Sequence, residues 1–197
     1  MPHNPAPDAD RAWQELLTGN RRFAAGAPRH PRQSVARRAE IVAGQHPFAV
    51  VVGCADSRVP PEILFDCGLG DLFVLRDAGN VLDEVGEASL EYAVEHLAVR
   101  LVVVLGHSGC GALTAVIEGA PVEGHLVRLV EHLRPAVERA AAKPGDLLDN
   151  AVVENLHSEV ARLRRLEPVL AGRVASGQVR IIGARYDLGS GLVTQIV

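Results

Sequence analysis

Two short stretches of this 197-residue chain carry side chains that could do chemistry together. One reads Gly53-Cys54-Ala55-Asp56-Ser57-Arg58-Val59-Pro60, the other Gly106-His107-Ser108-Gly109-Cys110-Gly111. His107 and Cys110 stand close enough in sequence to grip one ion, and Cys54 is a third soft ligand. Two thiolates and one imidazole suit zinc. Three protein ligands rather than four leave a position open for water or substrate, which separates a catalytic site from a structural one. Taken singly, a cysteine at a strand end is usually a small buried hydrophobe and a loop histidine a hydrogen-bonded filler. The two motifs together make a stronger signal than either alone. Asp56 and Arg58 read on their own as a local ion pair. Beside a zinc they gain a task, because a carboxylate gripped by a guanidinium fork stays ionised and oriented. It can then accept a hydrogen bond from the occupant of the open position without being consumed by the metal.

Strands must bring these residues to one place. Phe48 to Gly53, Leu72 to Leu75 and Leu101 to Leu105 are continuous apolar, β-branched runs and read as strands buried on both faces. Gly86 to Val99 has the apolar spacing of an amphipathic helix between the second and third, so the connection is a parallel crossover. In open α/β sheets the ligand site lies beyond the carboxyl ends of the strands, where Cys54 and His107 fall. Leu113 to Glu118, Leu126 to Ala142 and Ala151 to Leu166 read as helices, with a turn at Lys143-Pro144-Gly145. Val179 to Tyr186 reads as a last strand, followed by Gly189-Ser190-Gly191 and a hairpin partner over Leu192 to Val197.

At the amino end, residues 1–10 read as a mobile tail with Asp10 as a helix cap. Residues 11–40 read as a helical arm built on Trp13, Leu16, Leu17 and Phe23, with a break at Gly19 and Asn20. The four arginines between Arg29 and Arg38 read as a solvated connector. The fold class is α/β in a single domain over 1–197, with a mostly parallel central β-sheet flanked by helices, an N-terminal helical arm and C-terminal edge strands.

A hydrophobic content of 48% against 22% charged residues is that of a compact folded chain, which at this size needs no disulfides to hold a core. Three cysteines make an odd count with no framework spacing, and no basic segment followed by an apolar stretch opens the chain. A reducing cytoplasm is expected. No apolar run approaches the roughly 20 residues a membrane span needs, so no membrane partner is expected. A net charge of −4 gives no general attraction to nucleic acid.

The pair of motifs Cys54-x-Asp56-x-Arg58 and His107-x-x-Cys110 resembles the β-class carbonic anhydrases, and the likeness runs from about Trp13 to the end of the fourth helix, most specifically over Gly53 to Gly111. The resemblance implies one Zn2+ per chain on Cys54, His107 and Cys110, with Asp56 and Arg58 as the catalytic dyad. It implies that Gln45 hydrogen-bonds substrate, that Phe73 and Tyr92 form aromatic walls often supplied by a neighbouring subunit, that Ala78 is a small apolar wall, and that the Gly111 amide contacts the bound anion. It implies a homo-oligomer, dimer or tetramer. Members with a separate inhibitory bicarbonate site typically carry a tryptophan three residues before the first cysteine. Here that residue is Val51, although Arg76 occupies a position similar to that site's arginine.

The implied activity is zinc-dependent, reversible hydration of carbon dioxide to bicarbonate and a proton. Two rivals use the same site: a hydrolase of carbonyl sulfide or carbon disulfide, and a non-catalytic zinc-binding regulatory protein. A thiol phosphatase is excluded, since neither Cys54 nor Cys110 has an arginine six residues on. The Gly106 to Gly111 turn lacks a P-loop lysine. Cys67 reads as a free thiol without a catalytic role, and His96, His125, His132 and His157 read as solvent-facing.

Overall fold

The computed structural model describes residues 7–119 and 121–197. The sheet order is β2-β1-β3-β4-β5, from β1 (Ala49–Cys54), β2 (Leu72–Asp77), β3 (Leu101–His107), β4 (Arg180–Tyr186) and β5 (Val193–Gln195). The first four strands run parallel and β5 closes the edge antiparallel, so the expected α/β class with a mostly parallel sheet is what the chain forms. The valines of β1 and β3 lie at 0–1% exposure, as expected for central strands with apolar side chains on both faces. β2 differs from the expectation. It is half-buried along its length because it is the edge strand, with a neighbour on one side only.

Around the sheet stand α1 (Ala9–Ala24), α2 (Val35–Glu40), α3 (Pro61–Leu64), α4 (Glu84–His96), α5 (Gly111–Glu118), α6 (Leu126–Ala141), α7 (Leu147–Leu163) and α8 (Leu170–Ala175). α7 packs across β3 and β4, where a Cβ on Gly106 or Gly183 would press into Leu156 and its neighbours at 3.2–3.5 Å. α4 lies along β2, and its first turn is capped by Asp83, whose carboxylate accepts from the Val85 and Gly86 amides.

The amino-terminal arm departs from expectation in three ways. Asp8, not Asp10, is the helix cap: its side chain accepts from Arg11 N at 2.8 Å, so residues 9 and 10 are helical rather than tail. Residues 1–6 of the expected tail lie outside the described residues. The expected break at Gly19 and Asn20 is absent. Gly19 lets the helix approach the Phe65 carbonyl, where a Cβ would sit 1.8 Å from the oxygen. Asn20 is 1% exposed and spends its amide on the Leu64 and Gly191 carbonyls and its oxygen on Val193 N. The helix-breaking residues are therefore docking residues. The Arg29 to Arg38 segment is pinned rather than merely solvated. The amides of Arg29 and His30 donate to the buried Asp66 carboxylate, Arg32 forks onto Asp71 at 2.5 and 2.7 Å, and α2 forms inside the segment. Both α2 and α8 are too short for a clear period in the sequence.

Candidate functional site

β1 and β3 are neighbours in parallel register, Gly53 opposite Leu105, so Cys54 and His107 leave the sheet at the same carboxyl edge one strand apart. After His107 the chain turns through Gly109, whose φ of 63° suits glycine, and Cys110 enters as the residue capping α5. The ligand atoms of Cys54, His107 and Cys110 lie within 4.8 Å of one another, and all three residues are buried. Tetrahedral zinc with bonds of about 2.3 Å to sulfur and about 2.0 Å to nitrogen needs ligand atoms roughly 3.5–3.8 Å apart, which this cluster accommodates.

The state of His107 shows what belongs there. Its Nδ1 stands 2.9 Å from the Ser108 carbonyl and so carries the proton, leaving Nε2 with a free lone pair. That Nε2 is buried without a hydrogen-bond partner, an arrangement that costs free energy unless a cation takes the lone pair. The sulfurs are tuned alike. Cys54 Sγ receives the Gly79 amide at 3.3 Å and the Asp56 amide at 3.5 Å. Hydrogen bonding from Cys110 first, with the Asp56 and Gly79 amides adding to it, pulls its thiol down to about 4 against the cost of burial. Cys110 is pushed up, first by the Cys54 sulfur and then by burial. Two thiols sharing one pocket ionise in turn unless a cation stabilises both as thiolates.

The Asp56 carboxylate is held as the sequence suggests. Arg58 Nε donates to Oδ1 at 2.9 Å and Nη2 to Oδ2 at 2.6 Å, while the Arg58 amide adds a third bond to Oδ1 at 2.9 Å. Hydrogen bonding from the Arg58 side chain holds the carboxyl well below the usual carboxylate range, against the opposing effect of burial. Oδ2 lies 4.0 Å from His107 Nε2, beside the ligand cluster but outside hydrogen-bond range. Arg58 Nη2 also donates to the Gly109 carbonyl at 3.0 Å, tying the two motif loops together.

Gly79 and Asn155 escaped sequence reasoning, and Arg76, noted there only for its likeness to an inhibitory-site arginine, has a different role. Arg76 reaches across from β2 and donates to the carbonyls of Cys54 (2.8 Å) and Asp56 (2.6 Å), clamping the loop that carries both groups. Gly79, at φ 70°, brings its amide to the Cys54 sulfur, and Asn155 on α7 holds the Gly79 carbonyl at 2.9 Å. All three act on or through backbone groups, which leave no spacing pattern in a sequence.

Of the expected substrate residues, Gly111 opens α5 directly after Cys110, and Ala78 is exposed one residue before Gly79. Gln45, Phe73 and Tyr92 lie elsewhere. Phe73 pairs with Val50, about 13 Å along the strand from Cys54, and its ring centroid is 6.4 Å from that of Tyr92. Tyr92 is 48% exposed, and Gln45 is exposed in the loop that enters β1 from the far end. Cys67 is buried and its thiol is pushed up to about 12 by burial, consistent with an inert thiol. His132 is not simply solvent-facing, because its ring pairs with the buried Glu159 carboxylate.

The family model that matches this chain describes carbonic anhydrase and covers residues 49–193. The chain is similar to carbonic anhydrase 2 of Mycobacterium tuberculosis, 45% identical over 184 residues, covering 91% of this chain and 89% of that protein. It is 43% identical to a carbonic anhydrase of Mycolicibacterium smegmatis, covering 92% and 90%. Among solved structures, a Coccomyxa β-carbonic anhydrase in complex with acetazolamide superposes with a TM-score of 0.73 at 29% identity, over 92% of this chain and 84% of that one. One of two tetrameric β-carbonic anhydrases from Sordaria macrospora shares the fold at a TM-score of 0.76 and 24% identity, over 94% and 97%.

Proposed function

This chain belongs to the β-class carbonic anhydrase family and catalyses the reversible hydration of carbon dioxide, and on that premise we propose that it does so at one zinc ion held by Cys54, His107 and Cys110. The observation that carries this reading is the buried, unpartnered His107 Nε2 within reach of two buried sulfurs. Zinc supplies Lewis acidity there, bringing the ionisation of water from about 16 toward about 7, less completely with two thiolate donors than with an all-histidine set.

The chain's own residues do the rest. Asp56, kept ionised by Arg58, accepts a hydrogen bond beside the open coordination position and so orients the attacking oxygen. The Gly111 amide, at the positive end of α5, steadies the developing bicarbonate. Ala78 offers a small apolar wall suited to a substrate without charge.

We assign Gln45, Phe73 and Tyr92 to the site of a neighbouring subunit. Their position toward the amino ends of the strands removes them from their own chain's metal centre, while Tyr92 remains exposed for a partner. A homodimer is then the minimum working unit of a homo-oligomer; the Sordaria proteins are tetrameric. Three free thiols suit a reducing compartment, and we place the enzyme in the cytoplasm. No helix among the described residues is long and apolar enough to cross a membrane. The named relatives favour carbon dioxide over the carbonyl sulfide, carbon disulfide and non-catalytic alternatives.

The test is metal analysis with stopped-flow hydration of carbon dioxide from about pH 6.5 to 9. One zinc per chain and a rate that rises with pH are expected. A fully loaded protein without turnover would overturn the proposed site.

A further inference from the structure

Asn155 sits in the middle of α7, 2% exposed and flanked by the equally buried Ala151, Val152 and Leu156. A buried amide among aliphatic side chains is costly unless it is hydrogen-bonded. Its Nδ2 donates to the Gly79 carbonyl at 2.9 Å, a contact between residues 76 positions apart in the chain. Gly79 in turn donates its own amide to Cys54 Sγ at 3.3 Å. A polar side chain of α7 thus stands two hydrogen bonds away from a metal ligand.

The bridge between them needs holding. Gly79 lies at φ 70° and ψ 18°, and Asn80 after it at φ 52°, so two left-handed residues follow one another. No side chain could brace the first of them, since a Cβ there would meet Leu133 at 3.0 Å and Ala112 at 3.5 Å. Glycine restrains its own backbone least of all residues, so the direction of its amide depends on what grips its carbonyl. Asn155 supplies that grip from a long helix, while the turn Ala78–Asn80 packs against β1, β3 and α5. An amide donated to a thiolate stabilises the charge on sulfur, and partners of this kind orient and tune the groups that bind an ion.

We propose that Asn155 is a positioning residue of the metal centre, holding the Gly79 amide on the Cys54 sulfur so that this ligand keeps the orientation zinc binding needs. The inference rests on the reading that Cys54, His107 and Cys110 hold that ion. Asn155 acts at one remove, through the backbone of a single glycine. Arg76 fixes the Cys54 main chain through its carbonyl, whereas Asn155 acts on the sulfur, so the two clamps are separable.

Asn155→Leu removes the donor at nearly the same size, and Asn155→Asp sets an acceptor against the Gly79 carbonyl. In competition with a chelator each should bind zinc about 10–100-fold more weakly than the wild type. With cobalt in place of zinc, the sulfur-to-cobalt charge-transfer band should move to lower energy, because a sulfur that loses a hydrogen bond gives up electron density more easily. Leu163→Ala is the control. It empties core volume on the same helix about 12 Å away, so it should lower the urea midpoint while zinc affinity and the cobalt band stay as in the wild type. Folded Asn155 variants that keep wild-type affinity, or whose cobalt band does not move, overturn the proposal. So does an equal loss of affinity in Leu163→Ala, which would make the effect one of general stability. Failure of both Asn155 variants to fold overturns it too, since Asn155 would then serve the fold alone. A wild-type chain that takes up no zinc overturns the metal-centre reading, and the proposal with it.

Discussion

Asp56→Asn separates the work of the carboxylate from that of the metal ligands. Three donors converge on the wild-type side chain, two on Oδ1 at 2.9 Å and one on Oδ2 at 2.6 Å. An asparagine has one oxygen and one NH2 group. With its oxygen in the Oδ1 place it keeps the amide and Nε of Arg58, but its NH2 then meets Nη2 donor to donor at the shortest contact of the set. Flipped, it loses the other two donors. In the first orientation the atom beside His107 Nε2, 4.0 Å away in the wild type, is no longer an acceptor; in the second the fork that orients it is gone. Loss of an oriented acceptor next to the reacting atoms costs roughly 10²–10³ in rate, or about 3–4 kcal/mol of barrier. Zinc content should stay near one per chain, since no ligand changes. The pH profile adds a second check. Arg58 holds the Asp56 carboxyl below the usual range, so it is fully ionised throughout the neutral region and cannot be the group whose ionisation raises the rate there. The variant should therefore keep the wild-type midpoint and lower only the plateau in stopped-flow hydration from about pH 6 to 9. A plateau within about twofold of wild type would show the dyad to be idle, and a shifted midpoint would show that Asp56 itself titrates.

Cys54→Ser should drop zinc occupancy to under about a tenth of a mole per chain and abolish hydration, because a hydroxyl is a poor substitute for a thiolate ligand; metal analysis showing full loading would remove Cys54 from the ligand set. Asn20→Ala leaves the Leu64 and Gly191 carbonyls and the Val193 amide without their buried partners, and should lower unfolding free energy by about 2–5 kcal/mol in urea titration. A loss well under 1 kcal/mol would mean that water replaces the side chain. Burial pushes the Asp66 carboxyl up, but the Arg29 amide, the Arg22 side chain and the His30 amide outweigh it, so the folded value lies below the unfolded one. Its contribution is therefore present above about pH 4 and lost as pH falls through the folded value. Asp66→Asn should lower stability at neutral pH and flatten the acid slope of the urea midpoint, and an unaltered slope would rule this linkage out.

Much of the fold was legible because periodicity reports what an element does with its own faces. The valine runs of β1 and β3 and the mixed pattern of α4 each state how much of the segment is buried. The misjudged places are those where burial depends on another element. Asn20 and Gly19 carry the local signature of a break, yet the partners that make them docking residues lie in α3 and the β5 hairpin, up to 173 positions away. Phe73 sits in a run as apolar as that of β1, and only the strand order reveals that β2 has one neighbour.

The site divides along the same line. Cys54, Asp56, Arg58, His107 and Cys110 were readable because two strand tips each concentrate their ligands within a few residues, and parallel pairing then brings the tips together. The supporting roles of Arg76 and Gly79 were not readable, since an arginine that grips carbonyls and a glycine that lends an amide look like any others. The pairing of His132 with Glu159 spans two helices on which each residue fits an ordinary amphipathic pattern, so the sequence reads the histidine as solvent-facing. Ligands that bind directly to an ion are constrained by type and cluster in the chain. Groups that hold those ligands need only be near in space, and only the packed structure shows where that is.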